Sequence, residues 1–330
     1  MLTADIRHAA WSAAQQAVAL GELPVMISPA STPADPSTLR PTSTPTSYVS
    51  TLPYHLATPA IPAQRVSSVL ASHLTSVPWI ASITATTGHL VITVTDDALA
   101  SLAVRIPTSP DCAASDILRG LTIRATADAS AKLGRKAGAF IDNERLPRGP
   151  SPAWRALPMG QALAYAGPDA VTYALISHPA GWQPTSVADL PVRYHRANPV
   201  YAVRYAHAHA ASTLRQAADL GLGRGDAAEF VPRLLGHPLE RALLGAMSWL
   251  PERVAWAARR GQPGEFARYL AELADAYHDC REHCPALPFG GHSAPRDPGT
   301  TRARLWLVTA AKTAIAAGLD LLGVSAPDRL

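Results

Sequence analysis

The chain has 330 residues, 48% of them hydrophobic, which is enough to bury a substantial core in two domains, and no long apolar run approaches a membrane span. Its net charge of +4 is compatible with a polyanionic partner without demanding one, and nearly all the cations are arginine, since only Lys132, Lys136 and Lys312 are lysine. Cys112, Cys280 and Cys284 make an odd set, and Met1 to His8 lacks a charged-then-apolar export pattern, so a reduced protein of the cytoplasm is expected.

In chain order, a helix is predicted over residues 4–20, where Ile6, Ala10, Ala14 and Val18 form one stripe and Gly21 follows. Residues 24–62 are dense in Pro, Ser and Thr and are expected to be extended and partly mobile. A second helix over 63–74 leads into two β-rich runs, 79–86 and 89–95, split by Thr87-Gly88. Asp96-Asp97 then stands where a cap would start a helix over 98–105. Between 109 and 151 the pattern weakens, interrupted by Lys132-Leu-Gly-Arg-Lys136 and Leu146-Pro-Arg-Gly-Pro150, and there is room for one βαβ unit at most. From 152 to 330 the chain is predicted all-helical, with segments at 159–166, 169–177, 199–218, 238–249, 251–260, 265–284 and 301–322. The fold class is therefore mainly α: a small α+β domain over 1–108, a linker or remnant over 109–151, and a helical bundle over 152–330.

The most informative segment is Asn198-Pro199-Val-Tyr201-Ala-Val-Arg204-Tyr205-Ala-His207-Ala-His209. Asn198 is placed to cap a helix whose first position is Pro199, where a missing N–H costs nothing. Tyr201, Tyr205 and His209 recur every four residues and share a stripe, with Arg204 and Arg215 beside it. Aromatics at this spacing are more often core than contact. Here Val200, Val203, Ala210, Leu214 and Ala217 supply a separate apolar stripe. The segment resembles the signature helix of the anticodon-binding domain of arginyl-tRNA synthetases, approximately Asn-Pro-Val-Tyr-Tyr-Val-Gln-Tyr-Ala-His-Ala-Arg. The resemblance continues through Gly167-Pro-Asp169-Ala170-Val171-Thr172-Tyr173 (the Asp-Ala-Leu-Arg, or DALR, position), His237-Pro238-Leu-Glu240-Arg241, Tyr277-His278 to Cys284-Pro285, and Gly318 to Leu330. Residues 1–108 resemble that family's additional N-terminal domain at Gly21-Glu22-Leu23-Pro24 and at Leu90 to Asp97. His209 and Thr172 stand where the family has arginine.

What the resemblance implies is tRNA contact at two points, the elbow through the N-terminal domain and the anticodon stem-loop through the bundle. Aromatic rings and arginine planes are how proteins hold unstacked bases, and the implied RNA-binding residues are Asn198, Tyr201, Arg204, Tyr205, His207, His209, Arg215, Arg302 and Arg329. Arg304 is a further candidate cation. Against catalysis, the chain has neither a His-x-Gly-His element nor a Lys-Met-Ser-Lys-Ser-like loop, no phosphate loop and no nucleophile elbow. The group His278, Cys280, His283, Cys284 and His292 has metal-ligating types, but its spacing along one helix favours structural roles over zinc. The expectation is a non-catalytic tRNA-binding protein without cofactor or metal, presenting tRNA(Arg) or a related tRNA to a partner enzyme. That partner would modify the tRNA or use its aminoacyl group in biosynthesis. A subunit that docks on a synthetase or biosynthetic enzyme without touching RNA is the alternative.

Overall fold

In the computed structural model, which describes residues 2–24, 38–125, 128–142, 157–178, 184–190, 198–288 and 297–330, many helices begin where the sequence supplies a cap or a proline. The N-terminal part holds α1 (Leu2–Ala19), β1 (Leu39–Pro41), β2 (Ser47–Ser50), α2 (Leu52–Leu56), α3 (Ala63–Leu74), β3 (Ile80–Ala85), β4 (Leu90–Val94), α4 (Asp96–Ala100) and α5 (Leu102–Thr108). The four strands form one antiparallel sheet in the order β1-β2-β4-β3. Leu90, Ile92 and Val94 alternate buried with half-buried neighbours, the period-two pattern expected of one covered face. β1 and β2 lie in the stretch expected to be merely extended; residues 25–37 of that stretch are outside the described residues. The predicted helix over 98–105 is two helices, because Ser101 ends one and starts the next. Its cap is Thr95, whose hydroxyl accepts from the Ala98 N–H at 3.2 Å, and not Asp96 or Asp97.

The 109–151 stretch is folded as far as residue 142. β5 (Thr122–Arg124) and β6 (Phe140–Asp142) pair in parallel around α6 (Asp128–Lys136), a single βαβ unit that packs on the bundle. Residues 143–156, which include Leu146-Pro-Arg-Gly-Pro150 and the expected boundary at 152, lie outside the described residues.

The bundle comprises α7 (Met159–Ala166), α8 (Pro168–Ser177), α9 (Pro199–Asp219), α10 (Pro238–Ser248), α11 (Leu250–Arg260), α12 (Pro263–His283) and α13 (Pro298–Leu322). Six of the seven carry proline in the first turn, where its fixed φ costs no hydrogen bond. Glu240 completes a capping box on α10 by accepting from the His237 N–H at 2.9 Å, and its other oxygen takes Arg304 of α13 at 2.7 Å. Among the described residues one helix, α13, is long and apolar enough to cross a membrane by length and composition, which corrects the expectation that nothing approaches a span. Its apolar residues are the centre of the bundle: Leu305, Leu307, Ala311, Ile315 and Leu319 are buried against α5, α9 and α12.

The α+β part is docked directly on the bundle. Arg7 of α1 forms a two-pronged pair with Glu252 of α11, both contacts at 2.7 Å and both side chains almost fully buried. Thr3 donates to the Ser248 carbonyl at 3.1 Å, and the buried Tyr48 donates to the Ser248 hydroxyl at 3.0 Å. Gly245 sits inside α10, where glycine weakens a helix. A Cβ there would meet Pro45 of the β1–β2 turn, 2.8 Å from Cβ and 3.2 Å from Cα. The glycine lets the two parts approach.

Candidate nucleic-acid interface

α9 presents three faces, and each has a different neighbour. Val200, Val203, Ala206 and Ala210 are buried in the core. Arg204, His207 and Arg215 turn toward residues 325–328, which run back along the helix after α13. Arg204 donates to the Ser325 hydroxyl and pairs with Asp169 of α8, both at 3.1 Å. Asp169 in turn accepts from the Ser325 N–H at 2.9 Å and hydroxyl at 2.6 Å. His207 Nδ1 meets the Pro327 carbonyl at 2.9 Å, Arg215 donates to the Asp328 carbonyl at 3.1 Å, and Lys312 pairs with the Asp328 carboxylate at 2.9 Å. Three of the expected RNA contacts are thus clasps for the chain's own C-terminal segment. Asn198 is buried and caps α9 through Val200 at 3.2 Å.

The third face carries the tyrosine stripe, and α12 extends it. Tyr201 and Tyr205 stack at 6.0 Å and 20°. His278 stacks on Tyr205 at 5.6 Å and 27°, and the Arg281 guanidinium lies 5.6 Å from the Tyr205 ring centre. Arg281 Nε donates to His278 Nδ1 at 3.1 Å, which fixes both against the tyrosine. Tyr205 is exposed, while Tyr201, His278 and Arg281 are half-buried. The result is a platform of stacked rings with a guanidinium over the Tyr205 ring. An arrangement of this kind offers a flat surface to an unstacked base.

His209 closes the platform on its inner side. Its Nδ1 meets the Tyr277 hydroxyl at 2.9 Å. Burial, helped by the Arg281 and His278 charges, lowers its pKa to about 4, so the ring is neutral at physiological pH. Burial also lowers His278, helped by Arg281, and lowers His207. Beyond His209 lies a cavity of about 660 Å³ between α9, α12 and α13, with His209 and Arg281 shared between it and the platform. Cys280 and Cys284 are among its lining residues, and burial raises the Cys280 thiol to about 12, so it stays protonated.

Of the remaining sequence candidates, Arg302 is exposed and 3.7 Å from Glu229, and Arg329 is exposed. Arg304 is held by Glu240 and by the Pro285 carbonyl at 3.1 Å. Among the described residues no group of three or more His, Cys, Asp or Glu side chains converges to hold a metal, and His292 lies outside them. The sequence reading missed His278 and Arg281 as members of the platform. Their signal was present, since 277, 278 and 281 sit on one face of α12 at helical spacing.

Residues 203–330 match the DALR anticodon binding domain. The arginine–tRNA ligase of Paenarthrobacter aurescens is 36% identical over 200 residues, covering 61% of this chain and 32% of that protein. That of Clavibacter sepedonicus is 42% identical over 166 residues, covering 50% of this chain and 28% of that protein. Among solved structures, Thermus thermophilus arginyl-tRNA synthetase aligns over 62% of this chain and 31% of its own, at 23% identity and a TM-score of 0.36. The chain spans about a third of the length of the curated relatives it matches.

Proposed function

We propose that this chain, a relative of arginyl-tRNA synthetases carrying a DALR anticodon-binding domain, binds tRNA without activating an amino acid itself. The observation that carries the reading is the exposed Tyr205 ring, stacked with Tyr201 and His278 and with the Arg281 guanidinium over it, on the DALR segment. The anticodon stem-loop is the element that displays unstacked bases to such a platform. The N-terminal α+β part, docked on the bundle, supplies the second contact, at the tRNA elbow. The bound tRNA, an arginine tRNA or a related one, is handed to an enzyme that modifies it or consumes its aminoacyl group. Lack of the ATP-binding motifs of class I synthetases in this chain supports a non-catalytic role.

Filter binding with a bacterial tRNA pool tests the reading. Saturable binding that weakens steeply with salt is expected; no binding at low salt would sink it. Nuclease protection at both the anticodon loop and the elbow is the expected footprint. Pyrophosphate exchange with ATP and arginylation are both expected to be nil, and measurable charging by the purified protein would overturn the non-catalytic part. The docking-subunit alternative draws on one observation: β5 and β6 form a two-stranded parallel sheet with Phe140 exposed, where parallel sheets are normally covered.

A further inference from the structure

We infer that Cys280 and Cys284 form a two-thiolate site for copper(I), a soft monovalent cation, at the end of α12. The inference stands apart from the RNA reading. Spacing is the first observation. Four residues apart, the two cysteines share one face of α12. Cys284 closes the helix with φ −124°, yet its N–H still donates to the Cys280 carbonyl at 2.7 Å, so the helical relation between them holds. Their thiols lie within hydrogen-bonding reach of each other.

Distance separates two fates of such a pair. Side chains four apart on a helix stand about 5–6 Å from Cβ to Cβ, whereas a disulfide needs about 3.5–4.5 Å. A direct S–S bond would have to pull the helix end inward. One metal atom between the sulfurs spans the wider gap.

The number of ligands selects the metal. Structural zinc fills four positions, and among the described residues no third His, Cys, Asp or Glu converges with these two. Calcium and magnesium take oxygen ligands. Copper(I) prefers soft thiolates, and its filled d shell is satisfied by two of them in a line.

The surroundings suit that ion. Both cysteines are 4% exposed, and both line the cavity between α9, α12 and α13, which gives an ion a way in. Leu243, Leu287, Leu307 and Val308 make much of its wall apolar, which disfavours copper(II), a seeker of nitrogen and oxygen ligands. Loading breaks two S–H bonds, forms two Cu–S bonds and releases two protons to solvent, with no change of oxidation state. The product carries one net negative charge. Arg304, fixed by Glu240 and the Pro285 carbonyl, is a cation near enough to favour the Cys280 thiolate, and Glu240 opposes it. Burial keeps the free thiol protonated, and the charge of the incoming ion is what displaces its proton.

The test titrates the full, reduced chain anaerobically with copper(I) held by bicinchoninate. One ion per chain should pass to the protein, with two sulfur neighbours in its X-ray absorption spectrum. Cys280→Ser and Cys284→Ser should each lower affinity by more than about a hundred-fold, beyond the 10–100-fold that loss of a positioning partner costs. Cys112→Ala, at the third thiol, should bind as the wild type does. Alanine replaces serine at 280 or 284 should a serine variant fail to fold by circular dichroism, and the sulfur count is read on the wild type in any case. Copper that stays with bicinchoninate, one ion shared by two chains, a nitrogen or oxygen neighbour, or uptake by a folded variant lacking both cysteines would each overturn the site. Stoichiometric zinc at the same two cysteines would overturn the assignment to copper.

Discussion

Tyr205 is exposed, with a tyrosine and a histidine stacked on its ring, and the proposed function puts its energetic weight in binding and not in folding. Tyr205→Ala is expected to weaken anticodon stem-loop binding by about 1–3 kcal/mol, the worth of one base stacked on a ring. Its melting temperature should shift by no more than a degree or two, as for other exposed positions; a variant that unfolds but binds normally per folded molecule would place the ring in the core. His209 makes the opposite kind of prediction. Its folded pKa is about 4 against an ordinary 6.5, so between those values the unfolded chain binds more protons than the native one. Stability is then fully present above pH 6.5 and lost as pH falls toward 4, on the order of 1–3 kcal/mol from this group. Urea titrations at stepped pH should show that slope, and His209→Gln should flatten it. Residue-level legibility was uneven for a physical reason. The i, i+4 stripe of Tyr201, Tyr205 and His209 follows from helix geometry alone. That Arg204, His207 and Arg215 would clasp residues 325–328 depends on partners more than a hundred positions away, and local spacing carries no trace of them.

At the scale of elements, the bundle helices were legible where a start is announced, as Asn198-Pro199 and His237-Pro238 place a cap and a proline where the helix begins, whereas α13 begins at Pro298 behind its Asp297 cap, three residues before the predicted 301. β1 and β2 were not, because Leu39–Pro41 and Ser47–Ser50 are too short and too polar to show alternation. They become strands only by pairing, β2 with β4 and β1 with β2. The contact between α1 and α11 is the element-level feature most open to test. Arg7 and Glu252 are buried as a two-pronged pair, so removing one partner strands the other's charge. Glu252→Gln is expected to cost about 3–5 kcal/mol in urea unfolding, and the double variant Arg7→Met, Glu252→Leu to recover much of it. A single variant as stable as the wild type would show that the pair is hydrated in solution.

On the scale of the whole molecule, the α+β part, the βαβ unit and the bundle share one hydrophobic core, continuous from Leu2 and Ile6 through Leu133 to Leu322. Calorimetry should therefore show one transition whose van't Hoff and calorimetric enthalpies agree. Two separated transitions would mean that the α+β part and the bundle fold independently after all. The buried Arg7–Glu252 clasp also bears on how quickly the protein finds its ligand. Parts already locked together need no hinge to close before RNA can settle, so capture should be a single-step collision. In a stopped-flow experiment the observed rate would then rise linearly with RNA concentration, without the plateau of a preceding shape change. Release alone would then set how long the tRNA stays.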